Sequence, residues 1–282
     1  TNTFTSFNYN ADYRYVFNRV TFKGEFDGVR LDYEESKSGF NMKSYSRSEY
    51  LPSIRFGYLI QPEYEAFFKI LAKQIVYDPI DVATSANSFA LNRNSKGYNA
   101  LAGLAFDLTE LITGDFSVGY ISRSYEQTGF KNISGINGFF NLKWRPTGLT
   151  TITARISRDI SETTQAGLLG FKTDNNSYLD ISKSAQQGVS GILSSGLMLG
   201  IEHELLRNLL FNLGGGYQML DYKSNAGHDR SDKMLTGNFG ARYLLNRNLS
   251  GGVGYSYQNR DTNVINSGYT GHLIMFSLRG QF

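Results

Sequence analysis

The chain alternates apolar and polar residues over long segments. In residues 235–245, Leu235, Phe239 and Tyr243 fall on one side and Thr236, Asn238 and Arg242 on the other. Because successive side chains of a strand point to opposite faces, this pattern predicts β-strands with one apolar and one polar face. Similar alternation is found in residues 7–17, 98–108, 112–125, 136–145, 149–160, 189–202, 209–222, 249–260 and 269–282. Residues 20–34, 45–60 and 63–77 are less regular, and a phase shift near Asp27–Gly28 predicts a β-bulge.

The length of these segments favours a membrane-spanning sheet over a soluble one. Strands of soluble sandwiches are usually about 5–6 residues long. Those predicted here run to roughly 10–14 residues, enough to cross about 30 Å of hydrocarbon at a tilt. No stretch approaches the ~18 apolar residues of a transmembrane helix. We therefore predict an all-β protein, a transmembrane antiparallel up-and-down β-barrel, with residues 1–282 forming a single domain. A soluble barrel is the alternative.

The connections alternate between short and long along the chain. Short ones are predicted near 17–18, 61–63, 108–110, 146–148, 206–208 and 246–248, and long ones near 35–45, 78–96, 126–133, 161–186, 223–232 and 261–268. Short turns at one end and long polar loops at the other are typical of outer-membrane barrels.

The number of predicted strands is odd. About thirteen are visible, whereas bacterial single-chain barrels normally have an even number with both termini in the periplasm. We therefore expect at least one further strand before Thr1 and a complete barrel of about 14–18 strands. The alternative is an N-terminal strand donated by another chain.

Composition excludes several other classes of protein. Cysteine is absent, so the chain has neither a disulfide framework nor a cysteine-ligated metal site. The 28 basic and 25 acidic side chains leave a net charge of +3, with no clustered basic face of the kind that binds nucleic acid. The opening TNTFTSFNYN lacks the features of a signal peptide, which we expect to have been removed.

Charged residues fall on the polar face of the predicted strands. Such residues are unfavourable in lipid but favourable in a hydrated lumen. A barrel of about 14 or more strands is wide enough to hold water unless a loop plugs it. Two interpretations remain open: the charges pair across the wall, or a small basic excess favours anionic solutes. The predicted pore-lining residues are Arg14, Lys23, Arg55, Lys69, Lys73, Asp107, Asp115, Arg123, Lys143, Arg145, Arg155, Asp159, Glu202, Arg242, Arg260 and Arg279.

No group of residues in the sequence predicts catalysis or metal binding. His228 lies beside Asp229 and Ser231 in a predicted loop, but adjacency in one loop does not give triad geometry. Glu202, His203 and Glu204 are consecutive on a strand, so they cannot all face one ion. Gly214–Gly216 lack the lysine and helix of a phosphate loop and are expected to ease curvature or make room for a neighbour. We expect no enzyme activity, cofactor or metal.

The C-terminus ends in alternating apolar residues. Phe276, Leu278 and Phe282 share one face of the last predicted strand. This ending resembles the signal read by the outer-membrane barrel assembly machinery.

Two stretches resemble a known family. The first comprises GYNALAGLAFDLTELITGDFSVGYISRSYEQTGF and WRPTGLTTITARISRDISET, and the second begins RSDKMLTGNFGARYLLNRNLSGGVGYSYQNRDTNV and continues to Phe282. They are similar to the putative β-barrel porin 2 family of Gram-negative outer-membrane proteins, a resemblance that extends from about residue 97 onward. It implies an outer-membrane exit for a secreted exopolysaccharide and supplies no catalytic residues.

Taken with this resemblance, the sequence favours an outer-membrane channel for polysaccharide export. The expected partners are outer-membrane lipid and lipopolysaccharide, the barrel assembly machinery and periplasmic polysaccharide-export components. The alternatives are a plugged, non-conducting barrel that acts as a surface anchor or adhesin, a general diffusion or nutrient-uptake porin and, last, an outer-membrane hydrolase.

Overall fold

The computed structural model describes residues 4–34, 46–78, 94–109, 111–126, 130–161, 189–224, 230–264 and 267–281. These residues form thirteen β-strands: β1 (Phe4–Phe17), β2 (Val20–Tyr33), β3 (Arg47–Gln61), β4 (Tyr64–Tyr77), β5 (Ser95–Leu108), β6 (Ile112–Tyr125), β7 (Ile133–Thr147), β8 (Thr150–Ser161), β9 (Val189–Leu206), β10 (Leu209–Ser224), β11 (Arg230–Leu244), β12 (Leu249–Thr262) and β13 (Tyr269–Gly280). Over the same ranges, no helix has the length and apolar character needed to cross a membrane.

Each strand pairs antiparallel with the next in chain order, in a single sheet. The sheet curls around a cavity of about 1200 Å³, to which strands from β3 to β11 contribute side chains. No ladder joins β1 to β13 within the described residues. The architecture is thus the predicted all-β, up-and-down barrel.

The two rims of the sheet differ. At one rim, which we call the short-turn rim, strands are joined by tight turns such as 18–19, 62–63 and 207–208. Asn18 and Thr109 adopt the left-handed conformation there, with φ of 53° and 56°. Connections such as 34–46, 78–94 and 162–188 leave from the opposite, long-loop rim. The alternation of short and long connections is therefore as predicted.

The outer face of the sheet is apolar over a defined height. It carries exposed residues such as Ile136, Leu213 and Phe276, exposed by 68%, 55% and 84%. Uncharged outer positions run from Tyr98 to Leu108 on β5 and from Leu209 to Met219 on β10. This height matches the ~9–11 residues of a tilted transmembrane strand.

Charged side chains appear on the outer face only beside the long-loop rim. Within the described strands, each lies in the four residues of its strand nearest that rim: Arg30, Asp32, Lys96, Arg158, Asp221, Lys223, Lys233 and Asp261. The outer surface therefore has an apolar band with a charged border on one side, as expected of a wall that leaves lipid and enters water.

The predicted bulge at Asp27–Gly28 is wrong. The register of β2 with β1 and with β3 runs through both residues without a shift. The sequence pattern changes there because the outer face leaves the apolar band: Arg30 is on the outer face and Leu31 on the inner face. A change of surroundings, and not of backbone register, causes the phase shift.

Pro52 interrupts one ladder. It pairs with Phe26 of β2 but has no partner on β4, where pairing passes from Tyr50–Gln74 to Ser53–Leu71. Proline has no N–H to donate to a neighbouring strand. The sheet accommodates Pro52 because this residue pairs with β2 and not with β4.

The long-loop end of β8 separates from β7. The β7–β8 ladder ends at Gly138–Arg158, although β8 continues to pair with β9 as far as Ser161. Strand β8 also contacts β6 directly. Ile160 packs there with Ile121 and Ile133, each only 4% exposed. Ile121 and Ile160 both line the cavity, so this end of β8 turns inward toward β6.

Candidate functional site

The candidate site is the inner face of the sheet and the cavity it surrounds. Ten of the sequence-predicted residues line the cavity: Arg55, Lys69, Lys73, Asp107, Asp115, Arg123, Lys143, Arg155, Asp159 and Glu202. They come from strands β3 to β9 and are interleaved with apolar and neutral polar side chains.

The other six predicted residues lie on the same face without lining this cavity. The register pairs Arg14 with Lys23 and Lys23 with Arg55, which places all three on one side. It likewise pairs Arg242 with Gly252, Arg260 with Met234 and Arg279 with Ser250. Arg145 follows Lys143 by two positions on β7 and so shares its face.

Glu25 organises the charges of β2, β3 and β4. It forms an ion pair with Lys23 on its own strand and accepts a hydrogen bond from Ser53 at 2.9 Å. Lys69 Nζ lies 2.7 Å from Oε2 of the same Glu25 carboxylate. One carboxylate thus holds two ammonium groups to the wall.

Two further glutamates on the inner face form similar ion pairs. Glu65 accepts a hydrogen bond from Thr21 at 2.7 Å and lies 3.3 Å from Arg55, whose guanidinium stacks on Phe67 at 3.9 Å. Nearer the long-loop rim, Glu49 contacts Arg47 at 2.8 Å and Lys73 at 3.3 Å. These contacts agree with the interpretation that charges pair across the wall, which leaves little net charge on this part of the inner face.

Strands β6 to β8 carry a shorter polar chain. Asn141 donates a hydrogen bond to Asp115 at 3.1 Å and accepts one from Arg155 at 3.0 Å. An amide therefore links a carboxylate to a guanidinium across three strands, and all three side chains border the cavity.

A buried ionic cluster joins strands β10, β11 and β12 near the long-loop rim. The Asp232 side chain is fully buried. It accepts two hydrogen bonds from Arg230, each at 2.9 Å, and is also hydrogen-bonded by Arg260. Arg230 also stacks on the Tyr222 ring at 4.7 Å. Because two guanidinium groups share one carboxylate, this cluster carries a net positive charge.

A second cluster lies on the outer face of the same rim. Arg30 donates hydrogen bonds to Asp78 at 2.7 Å and 2.5 Å and to Asp32 at 2.8 Å. The Arg30 guanidinium lowers the pKa of Asp78, the residue that follows β4. This cluster ties β2 to the end of β4.

Neutral amides and glycines form the opposite wall of the cavity, which sequence reasoning did not identify as a site. Asn212 faces Gly240 across the β10–β11 ladder, and Asn238 faces Gly214. A Cβ at Gly240 would lie 2.1 Å from Asn212 Oδ1, and one at Gly214 would lie 2.4 Å from Asn238 Oδ1. Each asparagine therefore lies across a glycine, as expected for glycines that make room for a neighbour.

Two further amides, Asn99 and Asn137, were not predicted, because their side chains carry no charge that marks them in the sequence as lining candidates. Both lie on the inner face and are buried. Alternation alone puts them on the polar side of β5 and β7, but their burial depends on how the sheet curls.

The histidines do not form a catalytic group in the described residues. His203 shares a hydrogen bond of 2.9 Å with Thr150, and His272 shares one of 2.9 Å with Tyr255, both on the outer face. Glu202 is on the inner face, opposite His203, as alternation requires. His228 lies outside the described residues. Among those described, no three acidic or histidine side chains are close enough to hold a metal ion.

The residues of the predicted assembly signal lie on β13. Phe276 and Leu278 are on the outer face and are exposed by 84% and 76%. Phe282 lies outside the described residues.

Comparison with known proteins gives one family and many barrels. The family model described as "Putative beta-barrel porin 2" matches residues 2–178 and 174–282. No curated protein sequence matches the chain.

The solved structures that resemble the chain include the copper transporter OprC, with a TM-score of 0.56 and 12% identity over 99% of this chain and 51% of that one. The FrpB iron transporter from Neisseria meningitidis has a TM-score of 0.56 and 10% identity over 98% and 48%. The outer-membrane channel DcaP of Acinetobacter baumannii has a TM-score of 0.51 and 12% identity over 98% and 84%. The chain thus spans about half the length of the first two, and all three likenesses concern the fold.

Proposed function

Since the chain belongs to the putative beta-barrel porin 2 family, we propose that it forms an outer-membrane channel through which a secreted polysaccharide leaves the cell. The fold and the family support the coarser part of this statement, a porin-like barrel of the outer membrane. The polysaccharide is our proposal, and it comes from the family resemblance together with the chemistry of the inner face.

One observation carries the proposal: the inner face carries charged and amide side chains, with ion pairs among those of β2 to β4, while the outer face has an uncharged apolar band. The ion pairs of Glu25, Glu65 and Glu49 hold their basic partners against the wall. This part of the inner face offers hydrogen-bonding groups with little net charge. Hydroxyl-rich chains can exchange hydrogen bonds with such a wall as they pass, so transport would be passive.

The partners follow from the same proposal. The outer band would contact membrane lipid, and the charged border at the long-loop rim would lie among the lipopolysaccharide headgroups. The exposed face of Phe276 and Leu278 would present the assembly signal to the barrel assembly machinery. Periplasmic polysaccharide-export components would deliver the polymer to the short-turn rim.

Conductance in planar bilayers tests the channel. We expect stepwise openings from the folded chain and from a variant lacking residues 162–188. A barrel that migrates as folded protein yet never opens in either form would contradict the proposal. Polysaccharide export is tested separately in a strain without this protein, where we expect polymer to accumulate in the periplasm and the intact gene to restore its release.

A plugged barrel is the second candidate, and the inward turn of β8 favours it. The buried cluster of Ile121, Ile133 and Ile160 lies beside the cavity. Such a barrel would serve as a surface anchor, and its signature would be ligand binding at the long-loop rim in a protein that does not conduct.

A further inference from the structure

The charged residues of the short-turn rim are separated by sign. In the described turns and the four strand residues nearest them, β3 to β6 carry only acidic charges: Glu63, Glu65, Asp107 and Asp115. The same part of β7 to β13, β1 and β2 carries one acidic residue, Glu204, and a set of basic residues that we call the basic arc: Arg14, Arg19, Lys23, Arg145, Arg207, Arg242, Arg247 and Arg279. The two ends of the curled sheet are thus strongly basic at this rim and its middle is acidic.

Most arginines of the basic arc have no partner. Six of them have exposed side chains that form neither a hydrogen bond nor an ion pair with the part of the chain that the structure describes: Arg14, Arg19, Arg207, Arg242, Arg247 and Arg279. At the long-loop rim, by contrast, Arg30, Arg47 and Arg230 each contact a carboxylate. Guanidinium groups bind carboxylates and phosphates through charge-assisted, paired hydrogen bonds. The basic arc therefore offers donors for an anionic ligand that no described side chain uses.

Most of the basic arc points into the mouth of the barrel. Five of its residues lie on the inner face: Arg14, Lys23, Arg145, Arg242 and Arg279. The outer face at the same height carries Trp144, Tyr243 and Leu278, exposed by 41%, 46% and 76%. Lipid beside the wall would contact these apolar and aromatic residues. A ligand of the five inner residues would instead lie inside the mouth.

Arg242 and Arg279 lie two strands apart with no large side chain between them. On the intervening strand, β12, Gly252 pairs with Arg242 and Ser250 pairs with Arg279. Neighbouring strands are about 4.8 Å apart, so the two arginines leave the wall within roughly 10–12 Å of each other. Like charges at this range repel unless they are screened. An anionic group between the two guanidinium groups would replace this repulsion with attraction.

Basic side chains continue from the arc into the cavity. Lys143 precedes Arg145 by two positions on the inner face of β7, and Arg155 lies beside it on β8. Lys143 forms no ion pair with a described residue, and Arg155 donates a hydrogen bond to the Asn141 amide. An anionic chain would therefore be favoured along β7 to β13, away from the acidic residues of β3 to β6.

We propose that the basic arc is the entry site for an anionic polysaccharide, whose acidic groups bind Arg145, Arg242 and Arg279 as the polymer moves from the periplasm into the lumen. This inference rests on the proposed function, since it names the class of polymer that the channel would carry. The short turns of outer-membrane barrels face the periplasm, so a polymer that leaves the cell meets this rim first.

Binding of short oligosaccharides to the folded full chain in uncharged detergent tests the site. The probes are an α-1,4-linked galacturonate hexamer and an α-1,4-linked glucose hexamer, which has no carboxylates. By titration calorimetry at low ionic strength, we expect the galacturonate hexamer to bind at least about tenfold more tightly, and added salt to weaken its binding because salt screens the charges. Equal binding of the two probes, or tighter binding of the glucose hexamer, would overturn the inference.

Two triple variants separate the mouth from the turns. R145Q/R242Q/R279Q removes three inner guanidinium groups, and R19Q/R207Q/R247Q removes three at the turns, so both change the net charge equally. We expect the first variant to bind the galacturonate hexamer about tenfold more weakly or worse, and the second to lose less than about threefold. All six residues are exposed, so both variants should migrate as folded protein.

The remaining outcomes are also decisive. Equal losses in the two variants would show that the hexamer responds to overall charge, and a loss confined to the turn variant would indicate a surface for an acidic protein outside the barrel. Either result overturns the inference. If the protein conducts but the galacturonate hexamer does not bind, the channel stands and the entry site fails. If the hexamer binds in the expected way but no conductance is found, the entry site stands and the open channel fails.

Discussion

At the residue scale, the most consequential side chain outside the cavity is Asp232. It is fully buried and neutralises part of the charge of Arg230 and Arg260. Removing one partner of a buried ionic group leaves the others without compensation, which is far more costly than losing an exposed ion pair. We therefore expect this carboxylate to hold the long-loop end of β10 to β12 together.

Asp232→Asn tests this role. We expect the variant to lose about 3 kcal/mol of unfolding free energy, because two guanidinium groups then share no carboxylate. The measurement is urea unfolding in lipid vesicles, followed by the fluorescence of Trp144, the only tryptophan. Asp261→Asn is the matched control: this residue is exposed on the outer border of β12, and its loss should change stability by less than about 0.5 kcal/mol. Equal losses in the two variants would contradict the assignment.

At the element scale, β5 and β6 come unusually close at Gly119. A Cβ there would lie 1.8 Å from the carbonyl oxygen of Ala100 and 2.9 Å from the Cα of Leu101. Backbone atoms cannot move aside as a flexible side chain can. The glycine is therefore needed for the approach of two strands that border the cavity.

Gly119→Ala should separate these strands. Forcing extra volume into a packed region costs about 1–3 kcal/mol, and we expect a loss in that range by the same urea assay. Gly135→Ala, at the neighbouring position on β7, is the control, because nothing lies within 4 Å of a Cβ there. A Gly119 variant as stable as the Gly135 variant would show that the approach is not tight.

Sequence patterning predicted the strands because each face of the sheet meets one solvent along most of its length. It failed near Asp27–Gly28, where Arg30 on the outer face and Leu31 on the inner face reverse the pattern without any change of register. The alternation of apolar and polar residues depends on the surroundings of each side chain. A β-bulge and the edge of the lipid region both shift this alternation, so the sequence alone does not distinguish them. The inward turn of β8 is equally invisible, since it depends on where pairing with β7 stops.

The candidate site was predicted in part for the same reason. Alternation assigned Lys69, Asp115 and the other charged residues to the polar side, where the register now places them. It gave no reason to single out Asn99 or Asn137 among the many asparagines, because burial and missing partners arise only once strands from distant parts of the chain surround a cavity. Whether these residues line a conducting pore remains a prediction.

At the scale of the whole molecule, the account depends on a wall with two different solvents. Lipid cannot satisfy backbone groups, so a sheet in the membrane must pair its strands along their length. Twelve antiparallel ladders among the described strands meet most of that demand. The apolar band outside and the charged and amide side chains inside then set which face meets lipid and which meets water.

Because the chain has no cysteine, single cysteines can report the surroundings of each face directly. Thr153→Cys and Ser256→Cys lie on the inner face, and Ile156→Cys and Val253→Cys on the outer face of the same two strands. In lipid vesicles, we expect a water-soluble maleimide to label positions 153 and 256, and brominated lipid to quench a bimane probe at positions 156 and 253. Labelling of the outer pair by the water-soluble reagent, with lipid quenching at the inner pair, would contradict the barrel described here.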